Sequence, residues 1–303
     1  MKNLLIYISI VTLLVSFSCE TVVDIDVPIA PPSLVVNSRI NTDSTNFNID
    51  LTESDFILSE VPFRSVTGAE IVLTEDGEQK GIFRETADGI YQNDTQPLAG
   101  KTYGLTISKE GYETISAETV IPGEEVAIKS VTTGNVTRDG SDFTLIKVTV
   151  DDPGDVANFY EIGVFFYEKR YDNETGELLE GDSVAYFEYI ELDGTDFEDD
   201  ATSYGQTVLV SDLFFDGLTH DFDLLVYNLY NAGPGVPEED RIQYYVTIRN
   251  TSEEYYNYIR TRKLQDYVEG DPFSEPVIVA DNIVNGFGIF AGFSADSEKI
   301  VVE

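Results

Sequence analysis

Thr102–Pro122 reads TYGLTISKEGYETISAETVIP. Its first half alternates apolar and polar residues, with Tyr103, Leu105 and Ile107 on one face. A Lys109-Glu110-Gly111-Tyr112 turn follows, and Glu113–Ile121 alternates again. Period-two alternation on both sides of a glycine-containing turn is the signature of a hairpin with one buried face. Similar short segments precede it: Leu34–Ile40, Phe47–Leu51, Ala69–Thr74, an Asp76-Gly77 hairpin turn, and a strand opening at Gly89-Ile90-Tyr91. About seven short strands within about ninety residues predict an immunoglobulin-like or transthyretin-like β-sandwich over 33–122, ending at Pro122-Gly123.

Beyond that boundary the strands lengthen. Phe143–Val150, Phe159–Tyr171, Ser183–Leu192, Gln206–Val210, Phe222–Leu229 and Gln243–Ile248 all read as β. Thr251-Ser252-Glu253-Glu254 has the form of a capping box and predicts one helix near 252–268, stopped by Gly270-Asp271-Pro272. Val277–Ala280, Gly286–Phe293 and Lys299–Val302 return to strand. The expected fold class is therefore mainly β: a sandwich, then a larger β-rich domain over 123–303 carrying one α-helix.

The start of the chain is of another kind. Lys2 and the apolar run Leu4–Phe17 have the proportions of a signal peptide, too short to span a bilayer. Ser18 then precedes Cys19, the single cysteine among 303 residues. A small residue before cysteine at the end of such a run is the pattern of a bacterial lipoprotein signal, although Ser16 stands where leucine is usual. The expectation is a leader over 1–18, a diacylated Cys19 as mature N-terminus, and a proline-containing tether over 19–32. Each buried methylene of the acyl chains adds about 0.8 kcal/mol to the hold on the bilayer.

Composition narrows the function. Lys and Arg number 18 against 56 Asp and Glu, a formal charge of −38. So acidic a surface repels nucleic acid and anionic head groups, and neither is expected as a partner. With Cys19 lipidated no thiol remains for disulfides or catalysis, and His220 is the sole histidine. His220 lies beside Asp221 and Asp223, but a lone histidine at a strand start reads as structural. The densest acidic loop, Asp193–Asp200, offers Asp193, Asp196, Glu198, Asp199 and Asp200 as calcium ligands. Their spacing is not that of an EF-hand, and a solvated loop tip is the plainer reading; no other cofactor is expected. Asp151, Asp152 and Asp155 flank a Pro-Gly turn and read as turn chemistry. The clusters Tyr186-Phe187-Tyr189, Tyr227-Tyr230 and Tyr255-Tyr256-Tyr258 hold more aromatic surface than one face of each element buries; core packing is the plainer reading, and contacts with protein or sugar the alternative.

Several pieces together carry a resemblance. Cys19–Pro28 (CETVVDIDVP), Leu34–Asn37, Gly89–Tyr91, Asp216-Gly217, Ser252–Tyr258, Gly270–Phe273, and Asn282 through Gly286–Phe290 resemble, in order and spacing, a Bacteroidetes lipoprotein family known as domain of unknown function 4249. The resemblance implies an outer-membrane lipoprotein, anchored through Cys19, whose gene neighbours include TonB-dependent transporters of the starch-utilisation type. It brings no catalytic residues. The function expected is a non-enzymatic accessory or binding component of nutrient uptake, surface-facing in preference to periplasm-facing. A structural or adhesive envelope protein is the alternative, and a hydrolase the third reading.

Overall fold

A computed structural model describes residues 31–54, 62–123, 126–171, 178–194, 200–227, 229, 242–271 and 273–301. Cys19, the leader and the tether before residue 31 lie outside the described residues.

Alternation is realised as strands β1 (Leu34–Asn41), β2 (Phe47–Glu53), β3 (Glu70–Glu75), β4 (Glu78–Ile82), β5 (Arg84–Ala87), β6 (Ile90–Asn93), β7 (Thr102–Ser108) and β8 (Ile115–Val120). The second half supplies β9 (Ile128–Arg138), β10 (Ser141–Asp151), β11 (Phe159–Tyr171), β12 (Leu178–Phe187), β13 (Ile190–Leu192), β14 (Tyr204–Gly205), β15 (Thr207–Ser211), β16 (Thr219–Val226) and β17 (Tyr244–Thr251). Helix α1 (Glu253–Val268) and strand β18 (Phe287–Lys299) complete it. The chain is mainly β, with α1 the single α-helix among the described residues. That helix is not long and apolar enough to cross a membrane.

The Thr102–Pro122 hairpin forms as read: β7 pairs antiparallel with β8, Leu105 opposite Ala117. Asp76-Gly77 turns β3 into β4, both residues at positive φ (50° and 83°), as a two-residue hairpin loop requires. One long sheet runs β12-β11-β17-β18-β1-β2-β6-β5, with β15 also on β11. A four-stranded sheet (β4-β3-β7-β8) and a five-stranded sheet (β14-β13-β16-β10-β9) accompany it.

Two hydrophobic clusters lie against the long sheet. Leu34, Val36, Ile49, Leu51 and Phe290 pack with Ile71, Leu73, Tyr103, Leu105 and Ile107 of the four-stranded sheet. Tyr160, Ile162, Val164, Val246 and Ile248 pack with Ile146, Val148, Phe222 and Leu224 of the five-stranded sheet. The first core draws all its members but Ile283 and Phe290 from before Pro122-Gly123, and the second draws all of its members from after it, but the long sheet takes strands from both sides. β18 pairs in parallel with β1 (Val36 with Gly288, Ser38 with Phe290) and antiparallel with β17 (Ile248 with Asp296). The 33–122 segment is completed by a strand from the other end of the chain. Val277–Ala280 is not strand; the strand expected over Gly286–Phe293 forms from Phe287 and runs on to Lys299, 13 residues in all, while Ile300 and Val301, expected as strand, are not.

Gly288 permits the parallel pairing. Its φ is +108°, and a Cβ there would stand 1.9 Å from the Val36 carbonyl oxygen, a distance no side chain tolerates. Helix α1 covers the opposite face of the long sheet, where Tyr255, Tyr258 and Ile259 meet Ile289, Ala291 and Phe293. Its cap is Ser252, whose Oγ accepts from the Tyr255 N–H at 3.3 Å. The expected cap, Thr251, is instead the last residue of β17; its hydroxyl donates to the Phe159 carbonyl, and Glu254 accepts from Thr119. Sheet pairing reaches one residue further than the capping-box pattern allows for.

Candidate functional site: a cationic, aromatic-lined cleft

The helix-covered face of the long sheet carries charge in runs that read as apolar. Glu161 in β11 and Arg249 in β17 are direct cross-strand partners. Period-two geometry turns both side chains away from the core that Tyr160, Ile162 and Ile248 enter, and toward the helix. Glu161 is 5% exposed. Its Oε2 accepts from Arg249 Nη1 at 2.5 Å and from the Tyr255 hydroxyl at 2.7 Å; its Oε1 accepts from Thr207 Oγ1 at 2.8 Å. Burial pushes the Glu161 carboxyl up, but the Arg249 charge and the three donors together outweigh it and hold the group below the ordinary glutamate range. Burial pushes the Tyr255 hydroxyl upward, and the neighbouring Glu161 charge adds to that. The Arg249 guanidinium lies 5.1 Å from the Phe293 ring centre and 5.8 Å from that of Phe187, so two rings as well as the carboxylate hold it.

Beside this node opens a cleft of about 660 Å³. Arg39 from β1, Arg249 from β17 and Arg262 and Lys263 from α1 line it, against the carboxylates of Glu161 and Asp266. Phe187, Tyr189, Tyr204 and Tyr267 line it too. Tyr189 and Tyr204 lie with ring centres 5.8 Å apart, and both are more than half exposed. Lys263 is fixed by donating to the carbonyls of Thr207 (2.7 Å) and Tyr204 (3.3 Å). Burial lowers its ammonium below the ordinary lysine range, opposed in part by Glu161 and Asp266. Gly205 makes room for it: a Cβ there would stand 2.9 Å from Lys263 Nζ. Arg39 and Arg262 are exposed and form no ion pair among the described residues, in a chain with about three acids per base. Such groups can hold a ligand by charge-assisted hydrogen bonds and ring stacking.

The residues singled out from sequence fall elsewhere. Of the acidic loop, Asp193 is described and pairs with Arg138 at 2.7 Å. Asp200 begins a 3-10 turn, Asp200–Thr202, and its side chain is outside the described residues, as are Asp196, Glu198 and Asp199. His220 stacks on Phe215 with ring centres 4.1 Å apart, as a structural histidine does. Asp152 does more than make a turn. It converges with Asp212 and Asp216, the carboxylate oxygens of the three within 4.8 Å of one another. Asp152 accepts from the Tyr160 hydroxyl and the Gly217 N–H, Asp212 from the Asn158 N–H, and Asp216 from the Asp155 N–H, so the trio ties the β10–β11 loop to the β15–β16 connection. Of the tyrosine clusters, Tyr255 and Tyr256 are core, while Tyr186, Tyr189 and Tyr227 are exposed; Tyr230 is outside the described residues.

Sequence reading missed Arg39, Glu161, Thr207, Arg249, Arg262 and Lys263 as residues of one site. The available signal was a lone charge in each of two β-rich runs, FYEIGVFF and YYVTIRNT, because a buried charge demands an opposite one.

Comparison with known proteins adds a family and little chemistry. No curated protein matches the chain. Among solved structures, a DUF4785 family protein from Legionella pneumophila subsp. pneumophila strain Philadelphia 1 aligns at 9% identity with a TM-score of 0.22. The alignment takes in 72% of this chain, which spans about half, 52%, of that protein's length. Residues 20–299 match the model of the domain of unknown function DUF4249, and the chain belongs to that family.

Proposed function

We propose that this protein is a non-enzymatic binding component, anchored to the outer membrane through acylated Cys19 and acting beside a TonB-dependent transporter in nutrient uptake. The cleft between α1 and the long sheet carries the reading: it combines fixed cations with exposed rings, which is recognition chemistry. Its one buried carboxylate, Glu161, is committed to Arg249, Tyr255 and Thr207, and is held ionised rather than poised to exchange a proton. The leader pattern and the family resemblance support the anchor and the neighbour.

Co-purification from detergent-solubilised outer membrane tests the partner, with a TonB-dependent transporter expected in the eluate. Recovery without any transporter overturns that part. Cys19→Ser tests the anchor: the variant is expected in the soluble fraction with its fold intact, and retention in the outer membrane defeats the lipid assignment.

A further inference from the structure

We infer that the cleft binds an oligosaccharide bearing acidic groups, with Arg39 and Arg262 receiving the acids and the tyrosine rings receiving the sugar faces. This rests on the reading of the cleft as a ligand site.

A chain of net −38 that places cations without regard to ligand surrounds them with carboxylates. Other surface bases here follow that rule: Arg84 pairs with Asp94, Lys101 with Asp76, Lys129 with Asp151 and Arg138 with Asp193. The cleft departs from it. Four bases meet two carboxylates, and one of those carboxylates, Glu161, is already engaged by Arg249. Arg39 and Arg262 stand exposed with no carboxylate on them among the described residues. Guanidinium groups present a planar fork that fits carboxylate or sulfate bidentately. Arg262 also lies 5.8 Å from the Tyr258 ring centre, a contact that restrains it.

The acidic exterior does not forbid an anionic ligand. At physiological ionic strength its repulsion is screened over about 8 Å, so contacts inside the cleft decide. The rings select among anions. Tyr189, Tyr204 and Tyr267 are 58%, 56% and 68% exposed along the same cleft. A rigid, half-apolar ring with a hydroxyl tip suits the alternating C–H and O–H surfaces of a sugar. A small inorganic anion makes no use of three such rings.

The test uses the mature lipoprotein in detergent micelles, with binding measured by calorimetry. The probes are an oligogalacturonate, a sulfated oligosaccharide of similar length, a neutral malto-oligosaccharide and poly-glutamate. At least one acidic oligosaccharide is expected to bind about tenfold or more tighter than the neutral one, and the two acidic probes tell carboxylate from sulfate. Arg39→Gln and Arg262→Gln are each expected to weaken that binding about tenfold. Arg84→Gln, on β5 at the opposite end of the long sheet, is expected to leave it unchanged. Both arginine variants keep the fold, because neither side chain is buried; unfolding curves check this. Neutral and acidic sugars binding equally overturns the inference while leaving a ligand site in place. Poly-glutamate binding tightest overturns it in favour of an acidic peptide, and binding by none of the probes overturns it outright. The transporter co-purification is independent of all these outcomes.

Discussion

Arg249 and Glu161 face each other across β17 and β11, on the side of the sheet away from its hydrophobic core, and their contact joins the sheet to α1 through Tyr255. The pair sits where one partner alone would be a buried, uncompensated charge. Arg249→Met is therefore expected to destabilise the protein by about 3–5 kcal/mol, whereas Glu161→Leu with Arg249→Met recovers much of that loss. Urea unfolding of the single and double variants measures both.

The same pair sets an acid limit. Glu161 has a folded-state pKa below its unfolded value, so its contribution is present in full above the ordinary glutamate range. That contribution is lost as pH falls through the unfolded value toward the folded one. Stability measured from pH 6 down to pH 3 should decline, and in Glu161→Gln the decline should be shallower. Equal slopes would show that Glu161 does not govern it.

Asp212, which converges with Asp152 and Asp216, has the opposite sign. Burial raises the Asp212 carboxyl above the ordinary aspartate range, and the Asp152 and Asp216 charges add to it. A raised acid is a liability when ionised, and that liability is relieved as pH falls through its folded-state pKa. Asp212→Asn removes the charge and keeps an oxygen for the Asn158 N–H. Its melting temperature at pH 7 is expected to equal or exceed that of the parent, with the gap closing on acidification.

Gly288→Ala tests the joint between β1 and β18. The added methyl would stand 1.9 Å from the Val36 carbonyl oxygen at a backbone angle unfavourable to alanine. Strain at such a φ costs about 1–3 kcal/mol before the clash is counted. The variant is expected to lose the parallel pairing, read as faster amide exchange at Val36 and Ser38.

Ser252→Ala probes the helix that walls the cleft. Loss of the cap to the Tyr255 N–H is expected to cost about 1 kcal/mol. Thr251→Ser should cost less if Ser252 is the cap, because Thr251 serves the sheet through Phe159.

The strands were legible because alternation is a local pattern: β7, β8 and β11 are where TYGLTIS, ETISAETV and FYEIGVFF place them. The joining of the halves was not, because nothing in Phe287–Lys299 says that its neighbours are β1 and β17. Parallel pairing between strands so far apart leaves no turn signal. The cleft was legible only in fragments. Glu161 and Arg249 could be seen as odd charges, but Arg39, Arg262 and Lys263 converge through tertiary packing alone. Cys19 carries the clearest local motif and lies outside the described residues.

The place of β18 has a consequence for how the protein is made. Val35 and Phe287 are roughly 250 residues apart in the chain yet neighbours in the sheet. A nascent chain emerges from its N-terminal side and meets β18 only after β1 and β17 have been waiting for it. Until then both carry open strand edges, which invite pairing with other chains. Such long-range closure makes folding slow. The β1 edge thus stays open for most of the chain's length and the β17 edge for its last part, so a product cut short before residue 287 exposes both edges rather than forming a smaller working protein.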